Sequence, residues 1–367
     1  MIYLDSAATS FLKPSTVEHA VIRAMRTLSS PGRGAYSLAM NAADELYSCR
    51  LSAAKLFKVQ DAENIVFTSS ASHSLNIAVN SMVKQGGTVL VSGFEHNSVT
   101  RPLYAAGANL ITAGTKLFDV QDTIDDFERK IKSADCVFCT HVSNVFGYVL
   151  PIYEIAEVCK YNKVPLAIDA SQSAGIIDVD AKRLGANFIA CPGHKGLFGL
   201  QGTGILICNS ETKPIIHGGS GSDSKSQTMP EYLPDRLEAG THNIPGIAAL
   251  NAGINFVLTK GSENIRNHEL QMLNRMKQRL ENTEYELFTG ENQLGVLSLR
   301  HNRLDCEEIA QKLAEDGVCV RAGLHCAPLA HKSAGTIDTG TVRFSFSPFT
   351  DFRQIDAACD CLLSYIH

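Results

Sequence analysis

Short apolar runs alternate with stretches of helical periodicity over the first two thirds of the chain. The runs predict β-strands at residues 65–68, 88–91, 108–112, 136–141, 166–169, 188–191 and 204–208. Between them, apolar residues recur at helical spacing, as in residues 72–83 and 152–161. This alternation predicts an α/β fold in which helices cover a mostly parallel sheet.

The pattern changes at about residue 250. A long helical region through residue 280 precedes short elements at residues 296–300, 306–316, 318–321 and 342–346, and a final helix from residue 352. We therefore predict a large α/β domain at residues 14–250, and a smaller α+β domain formed by residues 1–13 plus 251–367.

Two local signals refine this division. A capping-box pattern at residues 15–18 predicts a helix that runs toward Leu28. Residues 218–234 are rich in Gly, Ser and Asp, which predicts a mobile loop.

Composition excludes several classes of protein. The 367 residues are 44% hydrophobic and 19% charged, which is typical of a globular chain. The net charge is −5 and no Lys/Arg-rich run is present, so we expect no nucleic-acid partner. The N-terminus lacks the pattern of a signal peptide, and no run reaches about 18 apolar residues, so we expect a cytoplasmic protein without membrane contact. The 11 cysteines are odd in number and scattered, which favours reduced thiols.

Polar residues follow several predicted strands directly. Ser70 and Ser72 follow the first, Asn144 follows residues 136–141, Asp169 ends its own strand, and Lys195 follows residues 188–191. Ligands of open parallel sheets bind where the carboxyl ends of the strands meet. A lysine, a carboxylate and serines at a helix N-terminus suit a cofactor with an aldehyde, a basic ring nitrogen and a phosphate.

Each of these residues also has an ordinary explanation. Lys195 alone is typical of a solvated loop, Asp169 of a strand-end turn, and the serines at 69–72 of a helix N-cap. The glycines at 199–204 lead into a strand rather than a helix, which argues against a dinucleotide fingerprint. The cofactor hypothesis rests on the three features falling at one sheet edge.

The chain resembles the pyridoxal-phosphate enzymes of aminotransferase class V and, within them, the cysteine desulfurases. The resemblance covers nearly all 367 residues and implies the fold type I of pyridoxal-phosphate-dependent transferases, with a sheet of the seven-stranded type. It rests on the order of motifs at residues 3–9, 95–97, 143–147, 169–173, 193–195, 238–241 and 321–328.

The resemblance implies roles for residues around the cofactor, pyridoxal 5′-phosphate. Lys195 matches the Schiff-base lysine, Asp169 the partner of the pyridinium nitrogen, and His96 the ring that stacks on the cofactor. The other matching positions are Gln172 at the ring oxygen, Ala71, Ser72 and His194 at the phosphate, and Thr241 at the phosphate of the neighbouring subunit, which implies a homodimer.

The resemblance also implies which residues bind the substrate. Asn144, beside the cofactor, and Arg343 match positions that receive the substrate carboxylate, for which a guanidinium fork is well shaped. Tyr36 stands at the substrate mouth, where many relatives have histidine. Three further departures fall near the phosphate: Pro192 replaces a hydroxyl residue, Ser70 a glycine and His73 a glutamate.

Cys326 distinguishes a desulfurase from its transaminase relatives. A buried structural cysteine is the ordinary alternative, but Cys326 lies in a Gly/His/Pro segment outside any apolar periodic run. Nearby cationic groups favour a thiolate there. Cys359 and Cys361 make a poor metal pair, and we expect no metal site.

The resemblance therefore implies that L-cysteine displaces Lys195 from the cofactor. The freed amine then removes the Cα proton, and the Cys326 thiolate attacks the substrate sulfur. Alanine and a persulfide on Cys326 would result, and a sulfur-acceptor protein or a small thiol would receive the sulfur. Alternatives are a selenocysteine lyase or another C–S lyase and, from a different class, a non-catalytic sulfur-relay protein.

Overall fold

The structure is a computed structural model that describes residues 1–32 and 34–366. The chain begins with a short strand and two helices: β1 (Ile2–Tyr3), α1 (Ser15–Thr27) and α2 (Ser37–Phe57). The helix predicted from residue 15 is present, but the capping box is wrong. Ser15 lies inside the first turn, and the N-cap residue is Pro14, which makes no side-chain cap hydrogen bond.

The seven predicted strands form one central sheet. They are β2 (Ile65–Thr68), β3 (Thr88–Ser92), β4 (Asn109–Ala113), β5 (Cys136–Thr140), β6 (Leu166–Asp169), β7 (Phe188–Pro192) and β8 (Gly204–Cys208). Their order is β2-β8-β7-β6-β5-β3-β4, and β8 alone runs in the direction opposite to the other six strands of this sheet. The prediction of a mostly parallel sheet is confirmed.

Helices cover both faces of this sheet: α3 (Ala71–Met82), α4 (Asn97–Ala105), α5 (Val120–Lys130), α6 (Ile152–Asn162), α7 (Ala181–Leu184) and α8 (Ile244–Lys260). Successive strand residues enter different apolar cores. In β3, Leu90 packs into one core, whereas Val89 and Val91 pack into the other. Burial on both faces explains why the strands read as continuous apolar runs.

The rest of the chain forms a second layer of strands and helices. Its elements are α9 (Ser262–Leu280), β9 (Tyr285–Phe288), β10 (Val296–His301), α10 (Cys306–Glu315), β11 (Val318–Cys319), β12 (Arg321–Gly323), α11 (Pro328–Ser333), β13 (Thr341–Ser345) and α12 (Phe352–Ser364). Four strands pair in the order β12-β13-β10-β9, and β1 pairs with β11. Leu4 joins the core of this region.

Several sequence-based boundaries change. The helix predicted over residues 250–280 is two helices, α8 and α9, separated at Gly261, whose φ of +83° favours glycine. The predicted run at 318–321 divides between β11 and β12, which belong to different sheets. The domain boundary at residue 250 stays a prediction, and α8 spans it.

Residues 218–234 contain no helix or strand, and their mobility stays a prediction. Among the described residues, no helix has the length and apolar character needed to cross a bilayer. All 11 cysteines are free thiols.

Candidate active site

One cleft lies at the carboxyl edge of the central sheet, between the ends of β5, β6 and β7 and the first turns of α3 and α4. It encloses about 800 Å³ including its open mouth. The cleft brings together most of the predicted site residues, namely Ala71, Ser72, His96, Asn144, Asp169, Gln172, His194, Lys195, Cys326 and Arg343. The convergence of strand ends therefore gathers side chains that are far apart in sequence.

Lys195 lies on the loop that follows β7 and is half-buried. No hydrogen bond to its amine is found within residues 1–32 and 34–366. Burial lowers the pKa of Lys195 to about 8, although the nearby Asp169 carboxylate opposes this shift. An appreciable fraction of this amine is therefore neutral near neutral pH, as a nucleophilic lysine requires.

The glycines around Lys195 permit close backbone packing. A Cβ on Gly196 would lie 2.4 Å from the Ala174 carbonyl oxygen, and one on Gly175 would lie 2.2 Å from the Gly196 carbonyl oxygen. Gly175 also has a φ of +85°. The loop can therefore pack against residues 174–175 only because Gly175 and Gly196 carry no side chain. This packing holds Lys195 at the sheet edge.

Asp169 is the last residue of β6, and Gln172 lies in the turn that follows it. Asp169 is buried, and its Oδ1 accepts a hydrogen bond of 2.9 Å from the Ser171 backbone N–H. The Gln172 side chain donates to the Ala7 carbonyl over 2.9 Å, which ties the turn to the N-terminal segment. A fixed carboxylate beside Lys195 is a suitable partner for a basic ring nitrogen.

The first turn of α3 forms another wall of the cleft. Ser70 caps this helix, and its Oγ accepts a 3.2 Å hydrogen bond from the His73 backbone N–H. Its φ of −175° is extended, so serine replaces the expected glycine here without strain. Free N–H groups at such a helix start bind anions. His194 also lines the cleft, and its Nδ1 is 3.0 Å from the Thr9 hydroxyl.

His96 is the N-cap residue of α4. Its Nδ1 accepts a 3.0 Å hydrogen bond from the Ser98 backbone N–H and lies 2.9 Å from the Ser98 hydroxyl. Burial, reinforced by the positive charges of Lys195 and Arg343, lowers the pKa of His96 to about 4 despite the Asp169 carboxylate. The ring is therefore neutral at neutral pH.

Cys326 is exposed at the mouth of the cleft, on the loop between β12 and α11. Its carbonyl accepts a 2.7 Å hydrogen bond from the Asn97 backbone N–H, next to His96. The preceding carbonyl, of His325, accepts from the Asn144 side chain over 2.8 Å. Both residues of this turn have a left-handed backbone, with φ of +50° at His325 and +56° at Cys326. Two anchors therefore hold a strained turn that presents the thiol to the cleft.

Arg343 is buried on β13 and donates to the Asn144 carbonyl over 2.9 Å. Its guanidinium also pairs with Asp5 at 2.6 Å, and the other Asp5 oxygen lies 3.3 Å from Arg321 Nε. Sequence reasoning assigned no role to Asp5, Arg321 or Ser98, although Arg321 and Ser98 line the cleft. The motifs at residues 3–9 and 321–328 contain Asp5 and Arg321, but no local pattern pairs Asp5 with Arg343, which lies 338 positions away.

Thr241 and Tyr36 lie outside this cleft. Thr241 is exposed and lines separate cavities with Glu238 and His242. Tyr36 precedes α2 and is 56% exposed. Their predicted roles stay predictions. Across the described ranges, no three His, Cys, Asp or Glu side chains are grouped as metal ligands, and the expectation about metals is likewise untested.

The chain is similar to known proteins of one family. The aminotransferase class-V family matches residues 2–358. A probable cysteine desulfurase of Methanothermobacter thermautotrophicus is 31% identical over 96% of this chain and 92% of the relative. A cysteine desulfurase of Escherichia coli O157:H7 is 29% identical over 89% of this chain and 84% of its own.

A solved structure has the same architecture. The apo structure of a cysteine desulfurase from Thermococcus onnurineus NA1 superposes with a TM-score of 0.90 at 28% identity, covering 100% of this chain and 94% of that one. The resemblance inferred from the motifs, and the type I fold that it implied, are confirmed. The chain belongs to the aminotransferase class-V family and, within it, to the cysteine desulfurases.

Proposed function

We propose that this chain converts L-cysteine to L-alanine and transfers the substrate sulfur to Cys326 as a persulfide. One observation carries the proposal. The same cleft holds an amine of lowered pKa at Lys195, a fixed carboxylate at Asp169 and an exposed thiol at Cys326. Amine and carboxylate serve any enzyme of this family, whereas the thiol is the group that accepts sulfur.

The residues present fit pyridoxal 5′-phosphate, the cofactor of this family. Lys195 would attach it, Asp169 would face its ring nitrogen, and Gln172 its ring oxygen. Its phosphate would meet Ala71 and Ser72 at the start of α3, together with His194. When bound, the cofactor supplies an aldehyde that joins to amines and a ring that accepts the electron pair released at Cα.

Arg343 supports recognition of the substrate carboxylate. Among the residues that the structure describes, its buried Nε has no hydrogen-bond partner, so Arg343, which lines the cleft, keeps one donor unused. The two terminal nitrogens of the same guanidinium already donate to Asp5 and to the Asn144 carbonyl, which fixes the orientation of the guanidinium. Arg321, half-exposed on the same side, adds a second positive charge at the mouth.

The chain's own side chains account for the proton and sulfur transfers. Lys195, once free and neutral, takes the proton from Cα. His96 is neutral and donates only from Nε2, because Nδ1 already accepts from Ser98. The Cys326 thiolate attacks the substrate sulfur, so the Cβ–S bond breaks as an S–S bond forms. The Cys326 sulfur and the substrate sulfur are each oxidised by one electron, and Cβ is reduced by two and takes a proton, which balances L-cysteine plus thiol against L-alanine plus persulfide.

The test compares wild type with C326A and with C361A, a matched loss of a second partly exposed thiol. Purified protein is given L-cysteine, alanine is quantified, and persulfide is located by peptide mass spectrometry. We expect alanine and a persulfide on Cys326 in wild type and C361A, and no persulfide in C326A. Persulfide formation by C326A at the wild-type rate would refute the proposal.

Two alternatives predict different products. A selenocysteine lyase would release alanine from selenocysteine far faster than from cysteine, without requiring Cys326. A non-catalytic relay protein would carry sulfur but release no alanine from either amino acid. Measuring both substrates in the same assay separates the three functions.

The proposal extends to partners and location. A sulfur-acceptor protein or a small thiol would take the sulfur from Cys326, whose exposure supports such access. We also propose a homodimer, with Thr241 reaching the partner's phosphate site, and its exposure outside the cleft supports this role. The 11 free thiols support the expected cytoplasmic location, where thiols stay reduced.

A further inference from the structure

A continuous hydrogen-bonded path joins the starts of α3 and α4, which both line the cleft. The Ser98 hydroxyl lies 2.7 Å from the Ser72 hydroxyl, in the first turn of α3. The same Ser98 oxygen lies 2.9 Å from His96 Nδ1, at the start of α4. Ser98 also lines the cleft, but it belongs to no role assigned above.

The donors along this path can be assigned in part. The Ser98 backbone N–H can only donate, and it points to His96 Nδ1 over 3.0 Å. Nδ1 therefore carries a lone pair, and the proton of the neutral ring is on Nε2. The Ser98 hydroxyl is left with one proton, which it can give to Nδ1 or to the Ser72 oxygen.

A phosphate group in the cleft would select one of these two arrangements. Phosphate oxygens accept hydrogen bonds at neutral pH, so the Ser72 hydroxyl must donate to them. Its oxygen can then accept the Ser98 proton, while His96 Nδ1 keeps its backbone donor. The path then runs in one direction, from Ser98 through Ser72 to the phosphate.

We propose that Ser98 is a positioning residue that holds Ser72 in the orientation that donates to the cofactor phosphate. This inference rests on the proposed function, because it requires pyridoxal 5′-phosphate in the cleft. Ser98 touches neither the reacting atoms nor, by this account, the phosphate itself. It acts through Ser72.

The expected effect is on cofactor affinity. Removing the Ser98 hydroxyl by S98A deletes one supporting hydrogen bond, and we expect about 5- to 10-fold weaker binding of pyridoxal 5′-phosphate, equivalent to about 1.0–1.4 kcal/mol. S98T keeps a hydroxyl and should restore most of the affinity. S81A is the matched control. Ser81 lies on α3 and its hydroxyl also has two hydrogen-bond partners, but it lies outside the cleft.

The experiment titrates the apo-protein with pyridoxal 5′-phosphate and follows absorbance to obtain Kd. The variants are S98A, S98T, S81A, S72A and the double variant S72A/S98A, each checked for a wild-type circular dichroism spectrum. We expect S98A to weaken binding and S98T and S81A to stay near wild type. We also expect S98A to add less than twofold in the S72A background, because its action passes through Ser72.

Two outcomes would overturn the inference alone while wild type binds the cofactor. One is an S98A affinity within twofold of wild type, and the other is the same fold-loss with and without Ser72. A wild-type protein that fails to bind pyridoxal 5′-phosphate would overturn the proposed function and this inference together. The two failures are therefore distinguishable in one titration series.

Discussion

Removal of the Asp5 charge should destabilise the protein, because Asp5 is the counter-ion of the buried Arg343. The pair is 2.6 Å apart, and the side chains of Arg343 and Asp5 are only 2% and 13% exposed. At an effective dielectric constant of about 20, Coulomb attraction at this distance is about 6 kcal/mol. Asn in D5N keeps an acceptor oxygen but removes the charge. Breaking a buried pair costs about 3–5 kcal/mol, and we expect the lower end because Asp5 retains some solvent contact.

Thermal unfolding followed by circular dichroism measures this loss. With an unfolding entropy of about 2.1 cal/mol/K per residue, the 367 residues give about 0.8 kcal/mol/K, so a loss of about 3 kcal/mol in D5N should lower Tm by about 4 °C. D356N is the matched control, since Asp356 also bridges two arginines, Arg275 and Arg279, but at the surface. Surface pairs contribute little, so its Tm should stay near that of wild type. A D5N shift no larger than that of D356N would refute the buried-pair reasoning.

Three further predictions follow from burial and close packing. Burial raises the pKa of Glu269 well above its usual range. Above about pH 4.5, the unfolded chain therefore binds fewer protons than the folded chain, so the free energy of unfolding falls as pH rises. When pH is raised from about 5 to about 8, the free energy of unfolding in urea should fall less for E269Q than for wild type. Equal falls would contradict this account. Because the pKa of Lys195 is lowered to about 8, the rate of cofactor attachment should rise through that pH and then level off. Stopped-flow absorbance measures it, and a rise continuing to pH 10 would exclude the shift. G196A should cost about 1–3 kcal/mol of stability in urea unfolding, because its Cβ would lie 2.4 Å from the Ala174 carbonyl oxygen. G219A, which has open space, should cost less, and equal costs would count against the packing argument.

The sequence predicted the central sheet well because its strands are buried on both faces. Runs such as Ile65–Thr68, Leu166–Asp169 and Gly204–Cys208 match the observed strands, since complete burial requires unbroken apolar residues. Helix α2 was not predicted individually, and β9 was missed. Their patterns are weaker: α2 exposes Met40 and other large apolar side chains, and only the first residue of β9 is buried.

The candidate site divides in the same way between local and distant signals. Lys195 and Asp169 were found because they lie at or just beyond the carboxyl ends of strands, and the sheet topology then brings them together. Ser98, Asp5 and Arg321 were not assigned, because their partners come from other elements. The Asp5 contact with Arg343 joins the two ends of the chain, and nothing in the sequence around either residue indicates the other.

The identity of the lysine that binds the cofactor is the most direct test of the central claim. Lys13 is the competing amine, since burial also lowers its pKa to about 8. Its amine, however, is already bonded to the Ser10 carbonyl and hydroxyl and to the Gly199 carbonyl, at 2.7–2.9 Å. Borohydride reduction of the cofactor-loaded protein, followed by peptide mass spectrometry, should find the phosphopyridoxyl group on Lys195. A label on Lys13, or no label on Lys195, would contradict the account.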